Sequence, residues 1–251
     1  MMRLPPSVPE LLSARNVLAI QPHYDDNDIA AGGTLAALAE RGARLHYVTV
    51  TDDLAGVLDA TLSDAEASER LRREQREAGA LIGVESQHWL GYADAGPWDA
   101  FALRRDLVRL MRIVKPDFVV TCDPWLPYEM HPDHVRCGLA AAEAACLQAL
   151  PRLRSDPEVD AEYEPRAVTA VAFYWTAAPN TTIDVSAQRE RKHRALDCYR
   201  AQFREEELRG LHTLLEARER EAAGARPYRY AEAFKVLRPG QLHCNVDAAR
   251  S

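Results

Sequence analysis

At 251 residues, 47% of them hydrophobic and 27% charged, the sequence has the composition of a soluble globular protein and not that of a disordered or fibrous one. Its formal net charge of −7 argues against a phosphate-backbone binder, which needs a cationic face, so nucleic acid is not an expected partner. No stretch approaches the roughly 18 uninterrupted apolar residues of a membrane span, and the five cysteines, odd in number and without a C-x-x-C pair, fit a reduced compartment.

The N-terminal MMRLPPSVPELLSARN has no apolar run long enough for a signal peptide, so the expected location is cytoplasmic. One domain over residues 1–251 is expected, with a core at about 15–180 and C-terminal helices and a strand from 181 to 251 packed on it. A domain of this size buries roughly three quarters of its unfolded surface, so a metal would serve chemistry and not folding.

Short β-branched runs alternate with segments of helical period, the signature of a parallel sheet with crossover helices. NVLAIQ reads as the first strand, and the helix after it takes Asn27 or Asp28 as its cap and stops near Gly42. ARLHYVTVT is the second strand. TDDLAGVLDAT (51–61) reads as a mobile surface loop, and Ser63 and Glu66 have capping-box spacing for a helix ending at Gly83. SQHWL is the third strand, followed after Pro97 by a helix with Leu103, Leu107, Leu110 and Val114 on its core face. DFVVTC is the fourth strand. The helix opening at Pro132 is alanine-rich, segment 151–167 reads as a second mobile loop, and AVTAVAFYW is the fifth strand. RERKHRALDCYRAQF and EEELRGLHTLLEARERE read as helices and YAEAFKVLR as a last strand. The sum is a Rossmann-like, three-layer α/β/α fold with a mostly parallel sheet, whose ligand site lies outside the carboxyl ends of the strands.

Two motifs fall at that edge. PHYDD (22–26) follows the first strand; alone, Asp25 and Asp26 would be turn chemistry and a helix cap, but His23 and Asp26 are near enough to reach one ion. HPDH (131–134) follows the fourth strand, with Pro132 suited to a first helical turn and His131 and His134 about one turn apart. Strands one and four are neighbours in the commonest doubly wound order, so the clusters converge. Two imidazoles and a carboxylate suit a catalytic zinc, which leaves a position for water and lowers that water's pKa to about 7. Asp25 is then the spare carboxylate for a general base, and the remaining histidine would polarise a carbonyl.

PHYDD with GGTLA, and HPDH, resemble the zinc-dependent N-acetylglucosaminyl deacetylases of the LmbE-like or PIG-L superfamily, whose usual motifs are H-P-D-D and H-x-D-H. RREQREAGALIGV, LGYADAG, RKHRALDCYRAQF and YAEAFKV are similar to further segments of that family, over most of the chain. The resemblance implies His23, Asp26 and His134 as zinc ligands and Asp25 as general base. It implies His131 as electrophile and proton donor, and Asp133 as orienting a histidine of its own motif. It also implies the zinc and the substrate, a small acylated amino sugar or its conjugate; such sites accept other divalent transition metals. The candidate substrate contacts are Tyr24, Arg70, Arg73, Asp94 and Trp125.

Tyr24 replaces the family's proline, Leu71 stands where its helix carries an arginine, and Ala95 follows Asp94 where it carries glycine. Two other classes stay open: a Mg-dependent phosphoryl-transfer protein, against which the two imidazoles count, and a carbohydrate-binding descendant without turnover. A homo-oligomer is compatible with the sequence.

Overall fold

The structure is a computed structural model and describes residues 7–244 and 248; residues 1–6 of the N-terminal stretch read above lie outside it. Among the described residues seven strands form one sheet in the order β3-β2-β1-β4-β5-β7-β6. β1 (Asn16–Gln21), β2 (Arg44–Thr51), β3 (Ser86–Tyr92), β4 (Phe118–Cys122) and β5 (Ala170–Tyr174) run parallel, and β7 (Ala231–Leu237) pairs antiparallel with both β5 and β6 (Thr181–Asp184). β1, β4 and β5 are buried along their whole length, as expected of parallel strands covered by helices on both faces. The expected α/β/α architecture, and the adjacency of the first and fourth strands, are therefore present.

The helices are α1 (Asp26–Glu40), α2 (Asp64–Ile82), α3 (Ala100–Val114), α4 (Pro132–Leu147), α5 (Pro157–Glu162), α6 (Arg189–Leu196) and α7 (Glu205–Ala223). The capping box forms: Ser63 Oγ accepts from the Glu66 amide, Glu66 accepts from the Ser63 amide, and Gly83 ends α2 at φ +100°. Leu103, Leu107 and Leu110 are buried on the inner face of α3. Small residues let α4 lie close on the sheet; a Cβ at Gly138 would meet the Cys122 carbonyl at 2.6 Å.

Four expectations need correction. α1 begins earlier than an Asn27 or Asp28 cap allows: Asp25 holds the N-cap position, and Asn27 and Asp28 are wholly buried in the first turn. Segment 51–61 is not a loose loop, because Asp53 is only 3% exposed and a 3-10 turn, Leu54–Gly56, follows it. Segment 151–167 contains α5, anchored where buried Arg112 pairs with Asp160 and donates to the carbonyls of Gln148, Leu150 and Leu153. β6 has no counterpart in the sequence reading, since TTID is too short to stand out as a strand.

Candidate metal centre and active site

Four loops leaving the carboxyl ends of β1, β2, β3 and β4 meet over a cavity of about 390 Å³ lined by His23, Asp25, Asp26, Asp53, Asp94, His131 and His134. His23 stands in the β1–α1 turn and Asp26 opens α1, its Oδ2 accepting from the His23 amide at 2.9 Å. His131 is the N-cap of α4, and Pro132 at its first position sets His134 one turn on.

His23 Nδ1 lies 3.3 Å from Asp26 Oδ2, and His134 Nε2 lies 3.6 Å from Asp26 Oδ1. Two donors each about 2.0–2.1 Å from a tetrahedral zinc would be about 3.3 Å apart, so this trio has the spacing of a metal site. The charge balance agrees. Burial disfavours a charge on His23, but Asp26 and Asp94 outweigh it and its pKa is pushed up to about 12. Burial would raise Asp26, yet His23 and His134 leave it below the usual carboxylate range. In effect a proton on His23 occupies a place that the surrounding carboxylates make favourable for a cation. His23, Asp94, His131 and Asp133 form a second grouping of donors that shares His23.

Asp25 is the N-cap of α1 by backbone position, but its side chain accepts no capping hydrogen bond, which leaves the carboxylate turned to the cavity. Burial pushes its pKa well above the ordinary value, and the charges of Asp26 and Asp53 push the same way. The adjacent acids thus have opposite tendencies: Asp26 holds its charge beside two imidazoles, and Asp25 holds a proton readily. The exposed His131 stacks on His134 with centroids 5.0 Å apart and stands edge-on to His23 at 4.7 Å; burial, then the neighbouring imidazoles, lower its pKa. Trp175 closes the far side of His134, stacked at 5.3 Å and 15°.

Asp133 is fully buried and reaches across to the other motif. Its Oδ2 lies 3.6 Å from His23 Nε2 and accepts the Ala95 amide at 2.8 Å. Asp94 Oδ1 is 3.4 Å from His23 Nε2, which places Asp94 in the site. The other substrate-contact candidates lie elsewhere. Tyr24 is 1% exposed and turned into the core, Arg70 pairs with Glu74 at 3.0 Å, and Arg73 faces solvent. Trp125 packs edge-on against Phe173 beside a neighbouring cavity of about 830 Å³. Leu71, at the family's arginine position, is a core residue.

Sequence reasoning missed Asp53 and Gln202. The signal for Asp53 was available: it follows β2, next to β1, at the same sheet edge as the motifs. Gln202 lies in RKHRALDCYRAQF, a segment similar to one of the family's, but only the fold brings it to this edge, after α6.

A doubly wound sheet that gathers three imidazoles and several carboxylates at its carboxyl edge defines an α/β protein with a donor cluster that could hold a metal ion at that edge. The chain belongs to the PIG-L family, whose model, described as GlcNAc-PI de-N-acetylase, matches residues 18–145. It is 36% identical over 193 residues to a diacetylchitobiose deacetylase of Thermococcus kodakarensis, covering 76% of this chain and 72% of that one. It is 31% identical to a 1D-myo-inositol 2-acetamido-2-deoxy-alpha-D-glucopyranoside deacetylase of Catenulispora acidiphila, covering 72% of this chain and 60% of that longer protein. Among solved structures it is similar to an N,N'-diacetylchitobiose deacetylase of Pyrococcus horikoshii, with a TM-score of 0.86, 34% identity, and coverage of 93% of this chain and 87% of that one. No helix among the described residues is long and apolar enough to cross a membrane.

Proposed function

We propose that this chain is a zinc-dependent hydrolase that removes the N-acetyl group from an N-acetylglucosamine-type sugar or its conjugate, acting as one domain in the cytoplasm. The observation that carries the reading is the convergence of His23, Asp26 and His134 on an ion-sized point with the uncapped Asp25 carboxylate beside it. The deacetylase relatives support the amide substrate.

His23, Asp26 and His134 would hold the metal, zinc or another divalent transition ion, which when bound supplies Lewis acidity to water and to the amide carbonyl. Asp25, whose pKa burial raises, takes the proton from the attacking water. His131, exposed at the rim, would act in its protonated form, donating to the carbonyl oxygen as negative charge develops there and then delivering that proton to the departing nitrogen, after which the proton held by Asp25 restores it. Water adds to the acetyl carbon, the C–N bond breaks, and acetate and a free amine result. Asp94, which lines the cavity, would accept sugar hydroxyls, while Tyr24, Arg70 and Arg73, outside it, have no assigned contact.

The test is acetate release by zinc-loaded protein across N-acetylglucosamine, diacetylchitobiose and an inositol conjugate, with metal content measured in parallel. Asp25→Asn is expected to keep its metal and lose about a thousandfold in kcat. Protein that takes up no stoichiometric metal, or hydrolysis that survives Asp25→Asn, overturns the reading.

A further inference from the structure

Asp53 combines two features that each carry a cost. Its backbone is left-handed, at φ +56°, where glycine is favoured and aspartate is merely tolerated. The residue is only 3% exposed, and its carboxyl group sits among other acids. Residues of this kind persist where the surroundings fix them, and they cluster at functional sites.

The contacts of that carboxyl show what fixes it. Oδ2 accepts from the Tyr24 amide at 2.9 Å and from Gln202 Nε2 at 2.7 Å. Tyr24 is the residue between His23 and Asp25, so this bond anchors the peptide joining the metal-binding imidazole to the base. Gln202 is itself held: the Ala201 amide donates to buried Glu74 at 2.8 Å, and the Ala201 carbonyl accepts from the Leu58 amide at 2.9 Å. Gly56 leaves room for the other oxygen; a Cβ there would lie 3.3 Å from Oδ1. The β1–α1 turn, the β2–α2 loop and the segment after α6 are thereby joined through one carboxyl group.

We propose that Asp53 is a positioning residue for the deacetylase site: bridging the Tyr24 amide and Gln202, it fixes the His23–Asp26 turn so that ligands and base keep their relative placement. This rests on the functional reading above only for the identity of the base; the effect on metal binding does not need it. The role requires an oxygen acceptor at this position, not a negative charge or a transferable proton. Asparagine tolerates the left-handed backbone and keeps one carbonyl oxygen for both donors, whereas glycine suits the backbone and removes the acceptor.

The experiment compares Asp53→Gly, Asp53→Asn and Gln202→Ala with the unaltered full chain, by titration of metal-free protein with Co²⁺ followed by absorbance, and by kcat and KM for acetate release. Asp53→Gly is expected to bind Co²⁺ at least tenfold more weakly and to lose about a hundredfold in kcat with KM within threefold. Asp53→Asn stays within threefold of the unaltered protein in both readouts, and Gln202→Ala weakens Co²⁺ binding by a smaller factor, a measure that stands if Asp53→Gly does not fold. Unchanged Co²⁺ affinity in both Asp53→Gly and Gln202→Ala overturns the proposal, as does an Asp53→Asn protein as impaired as Asp53→Gly. Absence of acetate release from the unaltered protein would count against the proposed reaction while leaving the Co²⁺ comparison decisive for Asp53.

Discussion

The Ala95 amide donates to Asp133 Oδ2 at 2.8 Å, tying the loop after β3 to the first turn of α4 and so joining two parts of the site that are 38 residues apart. Ala95 takes the left-handed conformation, φ +52°, that the family's glycine would adopt freely. The departure from glycine therefore preserves the loop's course. Restoring glycine should relieve backbone strain and give back part of that gain to the unfolded chain's greater freedom. Ala95→Gly is expected to stabilise by between zero and about 1 kcal/mol in thermal melts and to leave metal binding unchanged. Asp133→Ala, which strips a fully buried acceptor from the Ala95 amide, should destabilise by about 1–3 kcal/mol.

Metal binding should be strongly linked to pH. His23 carries its proton up to about pH 12 in the metal-free protein because Asp26 and Asp94 outweigh burial, and an imidazole must lose that proton to become a ligand. Binding at pH 7–8 is therefore expected to release about one proton from His23, and apparent affinity should rise with pH. Calorimetry in buffers of different ionisation enthalpy measures the proton count; a value of zero would show that His23 does not give up a proton when the metal binds.

A second pH effect belongs to stability. Asp28 is fully buried, and burial raises its pKa to about 6 despite hydroxyl donation from Tyr47 at 2.6 Å and Tyr199 at 2.5 Å. The folded protein thus keeps this proton at pH values where the unfolded chain has lost it. The associated stability is fully present below about pH 4 and is lost as pH rises through about 6, a change of about 3 kcal/mol. Asp28→Asn should flatten the pH dependence of urea-unfolding free energy across that window. An unchanged slope would show that Asp28 titrates normally.

Much of this was legible in the sequence because the informative signals are local. NVLAIQ and DFVVTC show uninterrupted burial as apolar runs, Ser63 and Glu66 announce their helix start by spacing, PHYDD sits directly at the end of β1, and HPDH opens the helix one loop after β4. What stayed hidden depends on distant partners. Segment 51–61 is polar enough to pass for a loop, and its order comes from Asp53 meeting Tyr24 and Gln202, the latter 149 residues away. Arg70 and Arg73 were plausible by residue type, but the helix phase turns both toward neighbouring acids, and Leu71 faces the core.

The C-terminal segment is joined to α1 by a buried ionic cluster with a sharp consequence for stability. Lys192 Nζ lies 2.8 Å from Glu219 and 2.7 Å from Glu232, and Glu232 also accepts the amides of Gly33 and Thr34 from α1. Burial opposes the charge on Lys192, but the two carboxylates outweigh it and its pKa is raised. Replacing one partner strands the others: Lys192→Met leaves buried Glu232 without its cation and Glu219 with Arg189 alone at 3.3 Å, which should cost about 3–5 kcal/mol. A triple replacement, Lys192→Met with Glu219→Gln and Glu232→Gln, removes the uncompensated charge and should recover at least half of that loss, because desolvating the cluster offsets much of its Coulombic gain. Urea unfolding of the two variants checks the difference. If Lys192→Met alone unfolds at the same urea concentration as the unaltered chain, the cluster contributes nothing to stability and α1 is held by its apolar contacts.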